Sequence, residues 1–417
     1  MFRSSCVAMN AVGRRAVLRT VGLLGASAFS SSSSSVLMGR GNAAFLGAPL
    51  AEQVRWSSSD AAASQHIYKS ELPSLLPVVE KETTLYGYMM KRMKSMDPKK
   101  VAAVQVETGK TYTYPQLMQA SEYAAMALYH SGVRKGDVVS LCLLNTAVYG
   151  PLVYGALRLG AIASTVNAVA AASTLAYHFK TNHCKVVMGM HFFQKQLEEA
   201  VDLVLRETGQ TIKILYPEDF YKTTNLPPIP SDYDGLKGAT LDDTVLIPFS
   251  SGTTGMPKGV QLTNRALIAN SEQCGQAQNM QPGEVSLAIL PLFHIFGFTV
   301  CMNSLFAFGG TQVVMSKFSV DEYVKAMEKY HTTLNMVAPP ILISLLKNEA
   351  MVRKHDLSSL TQFMSGAAPL GAEVVAMMEK HFPHVKTGQG YGMTEMSPVV
   401  TSPMAGRKQT PGSSGFI

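Results

Sequence analysis

The chain has 417 residues, 47% of them hydrophobic, which is ample for a substantial core and more than one lobe. Its formal net charge is +7, of which residues 1–56 supply six arginines against one glutamate, or +5, so the remainder carries only +2. No basic stripe interleaved with aromatics appears, so the charge gives no argument for a nucleic-acid partner, and five cysteines without a Cys-x-x-Cys spacing argue against a disulfide framework or a metal site.

Taken in order, the chain begins with Arg3, Arg14, Arg15, Arg19 and Arg40 among many Ser and Ala, ahead of the first acidic residue, Glu52. That is the composition of a mitochondrial transit peptide over residues 1–56, and Arg55-Trp56 before three serines suits a processing site. A disordered tail is the plainer alternative, with a cytoplasmic protein behind it. A secretory signal is disfavoured because the apolar stretch 21–29 is short and runs into six serines, 30–35. Scattered cysteines read as reduced core thiols, consistent with an intracellular compartment. Residues 57–79 read as a linker and 80–417 as the folded domain.

Residues 101–106 and 111–114 read as a hairpin turning at Gly109, and 115–131 as a helix with Pro at its start and Gly132 after it. The Gly109-Lys110-Thr111 triplet is not a Walker loop, since Val104 stands where that motif needs glycine. Strands follow at 138–144, 161–166, 185–188 and 212–215, separated by helical stretches. After Pro227-Pro228 the alternation resumes, with strands at 245–248, 285–290, 312–315, 333–337, 362–364 and 384–386. Two successive units of alternating strand and helix predict an α/β protein with two parallel-type sheets, each covered by helices. Residues 285–315 contain no acid, Lys or Arg, the length of a membrane span. Pro291, His294, Gly297, Gly309 and Gly310 break that run into a strand, a turn, a buried helix and another strand, so no transmembrane span is expected.

The densest chemical signal is 249–260, a Gly/Ser/Thr loop with one lysine directly after an apolar strand. Glycines let successive backbone N–H groups face one anion, hydroxyls add donors, and Lys258 supplies a point charge, which is phosphate-binding chemistry. Three further blocks are Leu290-Pro291-Leu292-Phe293-His294-Ile295-Phe296-Gly297, Ser365-Gly366-Ala367-Ala368-Pro369-Leu370-Gly371 and Gln389-Gly390-Tyr391-Gly392-Met393-Thr394-Glu395. The phosphate loop and the last two blocks each follow a predicted strand, where open α/β sheets bind ligands.

On these four blocks, in this order, residues 80–417 resemble the adenylate-forming (AMP-dependent synthetase and ligase) superfamily, most closely its coumarate-CoA ligase and fatty acyl-CoA synthetase branch. The resemblance implies the large N-terminal domain of that fold, with two packed βαβ-type sheet lobes. It also implies ATP, Mg²⁺ and coenzyme A as cofactors and a small carboxylic acid as partner. Ser250, Ser251, Gly252, Thr253, Thr254, Gly255 and Lys258 would hold the β- and γ-phosphates. Gly366, Ala367, Ala368 and Pro369 would lie against adenine, within a nucleotide site completed by Gln389, Gly390, Tyr391, Gly392 and Met393. Tyr391 would stack on the base, Thr394 would meet the α-phosphate, and Glu395 would help hold Mg²⁺. His294 would border the activated carboxylate, and Phe293, Phe296 and Phe298 suggest an apolar acid, aryl or fatty. Taken alone, His294 and Tyr391 would be ordinary core residues and Glu395 a solvated carboxylate.

The departures are Asn264, where many relatives place His, and the sequence end at Ile417. Relatives continue there into the rest of a β-barrel part and a C-terminal lid domain, and no Thr-Gly-Asp segment, hinge or bridging lysine is found. Two expectations follow. One is a ligase forming an acyl-adenylate and then acyl-CoA in the complete protein; the other is a truncated non-catalytic remnant that binds ATP, AMP or an apolar acid.

Overall fold

The computed structural model describes residues 70–220, 226–250, 255–410 and 412–417. The region read as a transit peptide lies outside the described residues, as do Ser251, Gly252, Thr253 and Thr254 of the phosphate loop. Within the stretch read as linker, Leu76–Val79 is a helical turn and Val79 is buried in the main core, so the folded body begins earlier than residue 80. A single apolar residue with a place in the core is enough to fasten a turn that composition alone leaves unassigned.

Helices and strands form where local chemistry favours them. The helix Tyr114–His130 starts one residue before the expected position, with the Gln116 side chain accepting from the Thr113 N–H at 2.8 Å and Pro115 in the first turn. Tyr114 belongs to this helix rather than to the preceding strand, because its ring is buried and its hydroxyl donates to the Gly310 carbonyl at 2.7 Å.

The strands are β1 Val101–Gln105, β2 Thr111–Thr113, β3 Val138–Leu141, β4 Ile162–Thr165, β5 Cys184–Met188, β6 Lys213–Leu215, β7 Thr244–Leu246, β8 Phe249–Ser250, β9 Lys258–Gly259, β10 Leu262–Thr263, β11 Val285–Ala288, β12 Thr311–Val314, β13 Leu334–Val337, β14 Gln362–Ser365, β15 Lys386–Gln389, β16 Tyr391–Gly392 and β17 Val399–Thr401. One sheet has the order β10-β7-β4-β3-β5-β6, parallel except at β10. A second has the order β11-β12-β1-β2, parallel except at β2, and a third is the parallel set β13-β14-β15. The second and third adjoin where Thr333 N–H donates to Val285 O at 2.8 Å and Asn335 Oδ1 accepts from Leu287 N–H at 2.8 Å. Strands β3 and β13 are buried at every position, as parallel strands covered on both faces must be.

The sheets do not follow the two halves of the chain. Strand β1, from the first half, pairs with β12 from the second, while β7 and β10 join the first-half sheet. The expected order of two successive units is thus corrected to two interleaved ones: parallel pairing lets an edge accept any strand of matching pattern, however distant in sequence. The last expected strand, 384–386, is displaced to Lys386–Gln389, since Val385 N–H closes a turn onto Phe382 O. The acid-free, cation-free run is a strand, a turn, a buried helix and a strand, as expected, but residues Gly297–Ser304 form a π-helix. Among the described residues no helix is long and apolar enough to cross a membrane.

Candidate functional site

Four loops at the carboxyl ends of parallel strands build the site. The first follows β7: β8 and β9 pair antiparallel, with Ser250 opposite Lys258, as the stem of a glycine-rich hairpin. Its base is tied to β4, where Ile247 N–H donates to Ala163 O at 2.8 Å and Ser164 Oγ donates to Ile247 O at 2.6 Å. Lys258 is exposed and Gly255 has φ +107°, so the described part of the returning limb combines an open lysine with a left-handed turn.

The second loop follows β11 and carries His294. Asn145, beyond the end of β3, accepts from Leu292 N–H at 2.8 Å and donates to Leu290 O at 3.0 Å. Thr165, the last residue of β4, donates to Phe293 O at 2.7 Å. The turn is therefore fixed from two strand ends of the first sheet. Gly297 is required here, because a Cβ at that position would stand 2.2 Å from the Pro291 carbonyl oxygen. Phe296 N–H points at His294 Nδ1 at 3.3 Å, which assigns the acceptor role to Nδ1 and leaves the proton of the neutral ring on Nε2. The imidazole has an exposed edge, yet protein packed around the rest of it holds its pKa below the usual histidine value through desolvation.

The third and fourth loops follow β14 and β15 and are fastened to each other. Gly390 N–H donates to Ser365 O at 2.9 Å, and the Gln389 side chain accepts from Leu370 N–H at 2.9 Å. Gln389 thus braces the 366–370 loop with its amide. Within that loop Ala367 has φ +69°, a left-handed conformation that side chains avoid unless their surroundings impose it. A Cβ on Gly366 would lie 3.0 Å from the Phe296 ring, so this loop abuts the His294 turn.

Beyond β16, Thr394 is 8% exposed while Glu395 is open to solvent, and Tyr391, in β16 itself, is 53% exposed. An aromatic ring that far out of the core has a free face to offer. Asn270, on the helix Asn264–Ala277, clamps this region by accepting from Val399 N–H at 3.0 Å and donating to Val399 O at 2.9 Å. Gln409 does the same to Gln389, accepting from its N–H at 2.9 Å and donating to its O at 2.8 Å.

Of the expected residues, Gly366, Ala367, Ala368, Pro369, Gln389, Gly390, Tyr391, Gly392, Met393, Thr394 and Glu395 lie on one connected pair of loops, and His294 stands on the loop beside them. Ser250, Gly255 and Lys258 lie on the hairpin at the same end of β4 that holds Phe293. Asn264 belongs to none of these: it is 1% exposed, accepts from Leu85 N–H at 2.7 Å and donates to Thr240 O at 2.8 Å. Asn145, Thr165, Asn270 and Gln409 escaped the sequence reading. Only Asn145 left a trace, as a polar residue at the end of an apolar run.

A family model described as AMP-binding enzyme matches residues 91–417. The chain is similar to 4-coumarate–CoA ligase 3 of Arabidopsis thaliana, 33% identical over 353 residues that cover 82% of this chain and 61% of that protein. Among solved structures it is similar to the anthranilate CoA ligase AuaEII in complex with anthranoyl-AMP, with a TM-score of 0.72, 20% identity and coverage of 81% of this chain and 65% of that one. It is also similar to o-succinylbenzoate coenzyme A synthetase from Bacillus subtilis in complex with ATP and magnesium, with a TM-score of 0.67, 22% identity and coverage of 79% and 64%. At such identities the solved structures speak to the fold alone. The chain spans 61 to 64% of the length of the curated relatives it matches.

Proposed function

Because the chain belongs to the AMP-binding enzyme family, we propose that the complete protein uses ATP to activate an apolar carboxylic acid, aryl or fatty, as an acyl-adenylate and passes the acyl group to coenzyme A. The observation that carries this reading is the joining of three strand-end loops: Ser365 to Gly390 by a backbone hydrogen bond, and Gly366 against Phe296 two residues beyond His294. A nucleotide cradle and an apolar acid site with a hydrogen-bond donor between them is what adenylation requires.

In that reaction a carboxylate oxygen attacks the α-phosphorus and pyrophosphate leaves. Both partners are anions, so the rate comes from positioning and charge neutralisation rather than from a protein nucleophile. Lys258 and the hairpin take the β- and γ-phosphates, the 366–369 loop and Tyr391 take the base, and the Thr394 hydroxyl meets the α-phosphate. The His294 Nε2–H, on a ring kept neutral by its depressed pKa, donates to the carboxylate and orients it. Mg²⁺ fits the open Glu395 carboxylate, which with phosphate oxygens forms the oxygen-rich environment that ion takes, and it would supply positive charge there.

The test is ATP–pyrophosphate exchange with a panel of aromatic and fatty acids, followed by thioester formation with coenzyme A, on the complete protein. Exchange is expected with apolar acids, and Lys258→Ala is expected to weaken ATP binding by roughly tenfold. No exchange with any acid, despite measurable ATP binding, would remove the enzymatic reading; unchanged ATP affinity in Lys258→Ala would remove the phosphate role of the hairpin.

A further inference from the structure

Among the described residues, Phe249–Ser250 and Lys258–Gly259 are in ladder register and form the stem of the glycine-rich hairpin. Two adjacent residues of the helix Ala172–Thr181 hold both of its limbs. On the returning limb, the Tyr177 hydroxyl donates to the Pro257 carbonyl at 3.0 Å, one residue before Lys258. On the outgoing limb, the His178 ring lies flat on Phe249, with centroids 3.9 Å apart and planes inclined by 23°, one residue before Ser250. Successive helical residues point about 100° apart, so one turn of helix reaches both limbs only where the stem lies across it.

His178 is 5% exposed, and neither ring nitrogen meets a hydrogen-bond partner among the described residues. A charged imidazole could not be kept there. What the residue offers the hairpin is therefore a flat neutral face, and what Tyr177 offers is one directional hydrogen bond. Together they fix the separation of the limbs and the tilt of the stem, from a helix that itself contributes nothing to the motif.

We propose that Tyr177 and His178 are positioning residues for nucleoside triphosphate binding, setting the direction in which Ser250 and Lys258 meet the β- and γ-phosphates. The proposal rests on the reading of the hairpin as the phosphate site. Neither residue touches the nucleotide, and a ligand without those two phosphates should not register the change.

The experiment measures ATP and AMP affinity by calorimetry on the 417-residue chain, as wild type and as Tyr177→Phe, His178→Ser, His178→Phe and Lys258→Ala. Tyr177→Phe loses one hydroxyl and is expected to weaken ATP about fivefold while AMP stays within about twofold. His178→Ser is expected to weaken ATP about tenfold, and His178→Phe, which restores a flat ring, to return it to within about twofold of wild type. Equal losses for ATP and AMP would mean a general loss of structure and overturn the proposal, as would unchanged ATP affinity in Tyr177→Phe and His178→Ser. If His178→Ser does not fold, Tyr177→Phe decides alone, since that residue is only half-buried. Weakening by Lys258→Ala alone overturns the positioning role and keeps the phosphate reading; no effect of Lys258→Ala overturns both.

Discussion

His294 stands on a turn pinned by three hydrogen bonds from two buried side chains, Asn145 and Thr165, whereas the hairpin of Lys258 is tied to β4 at its base, through Ile247, and beyond that base is held by one phenolic hydroxyl and one ring face. Hydrogen bonds to backbone groups fix the turn atom by atom, and losing a partner strands a buried N–H or C=O. A stacked ring resists separation but is more forgiving of direction. Under the proposed function the contrast matches what each loop would meet: the His294 N–H would have to find one carboxylate, while a lysine ammonium on a four-carbon stem is a mobile point charge that tolerates a looser mount.

That comparison can be broken in three places, beginning with the largest expected effect. Asn145→Ala leaves Leu292 N–H and Leu290 O without their side-chain partner inside the core, and should cost about 3 kcal/mol in urea unfolding. A loss below about 0.5 kcal/mol would show that the turn holds itself and that the contrast is illusory.

The hairpin's mount should show in pH dependence. Burial lowers the His178 pKa from 6.5 to about 4, so as pH falls below 6.5 the unfolded chain takes up a proton that the folded chain refuses. The stabilisation is fully present above pH 6.5 and is lost as pH falls towards about 4. The loss is on the order of 2 to 3 kcal/mol at the acid end. His178→Phe should flatten this part of the stability curve in melts at pH 7, 6 and 5, and an identical slope in the two proteins would show that the imidazole is not desolvated.

Thr165→Val is the smallest change. It keeps shape and removes one hydroxyl from Phe293 O, with an expected cost of about 1 kcal/mol and a larger proportional loss in acid activation than in ATP binding. Equal losses in both would sharpen the comparison differently, by making the turn and the hairpin one mechanical unit.

Local chemistry is legible in the amino-acid sequence. The apolar runs predict the longer strands within a few residues but miss the short β8, β9, β10, β16 and β17; composition marks the 249–260 stretch, and the resemblance marks Gly366 to Pro369 and Tyr391 to Glu395, as following predicted strands. The missed residues share a property: Asn270 grips Val399 and Gln409 grips Gln389 across long or irregular stretches of chain, and neither asparagine nor glutamine has a periodic signature. Their role exists only once the fold has brought a distant backbone to them. The π-helix escapes for the opposite reason, since Gly297–Ser304 is buried at every position, Thr299, Asn303 and Ser304 included, and helical periodicity does not distinguish one winding from another in a segment buried on all sides.

The pairing of β1 with β12 has a further consequence for how the chain can be divided. The second sheet takes two strands from each half, and the first takes β7 and β10 from the second half, so the break after β6 that looks like a domain boundary in sequence is not one in space. A single nick between β6 and β7 would leave the pieces laced together. Synthesised apart, each piece would expose strand edges that only the other can cover. The molecule also cannot finish its second sheet until β12 has left the ribosome, some two hundred residues after β1, which makes assembly late and non-local.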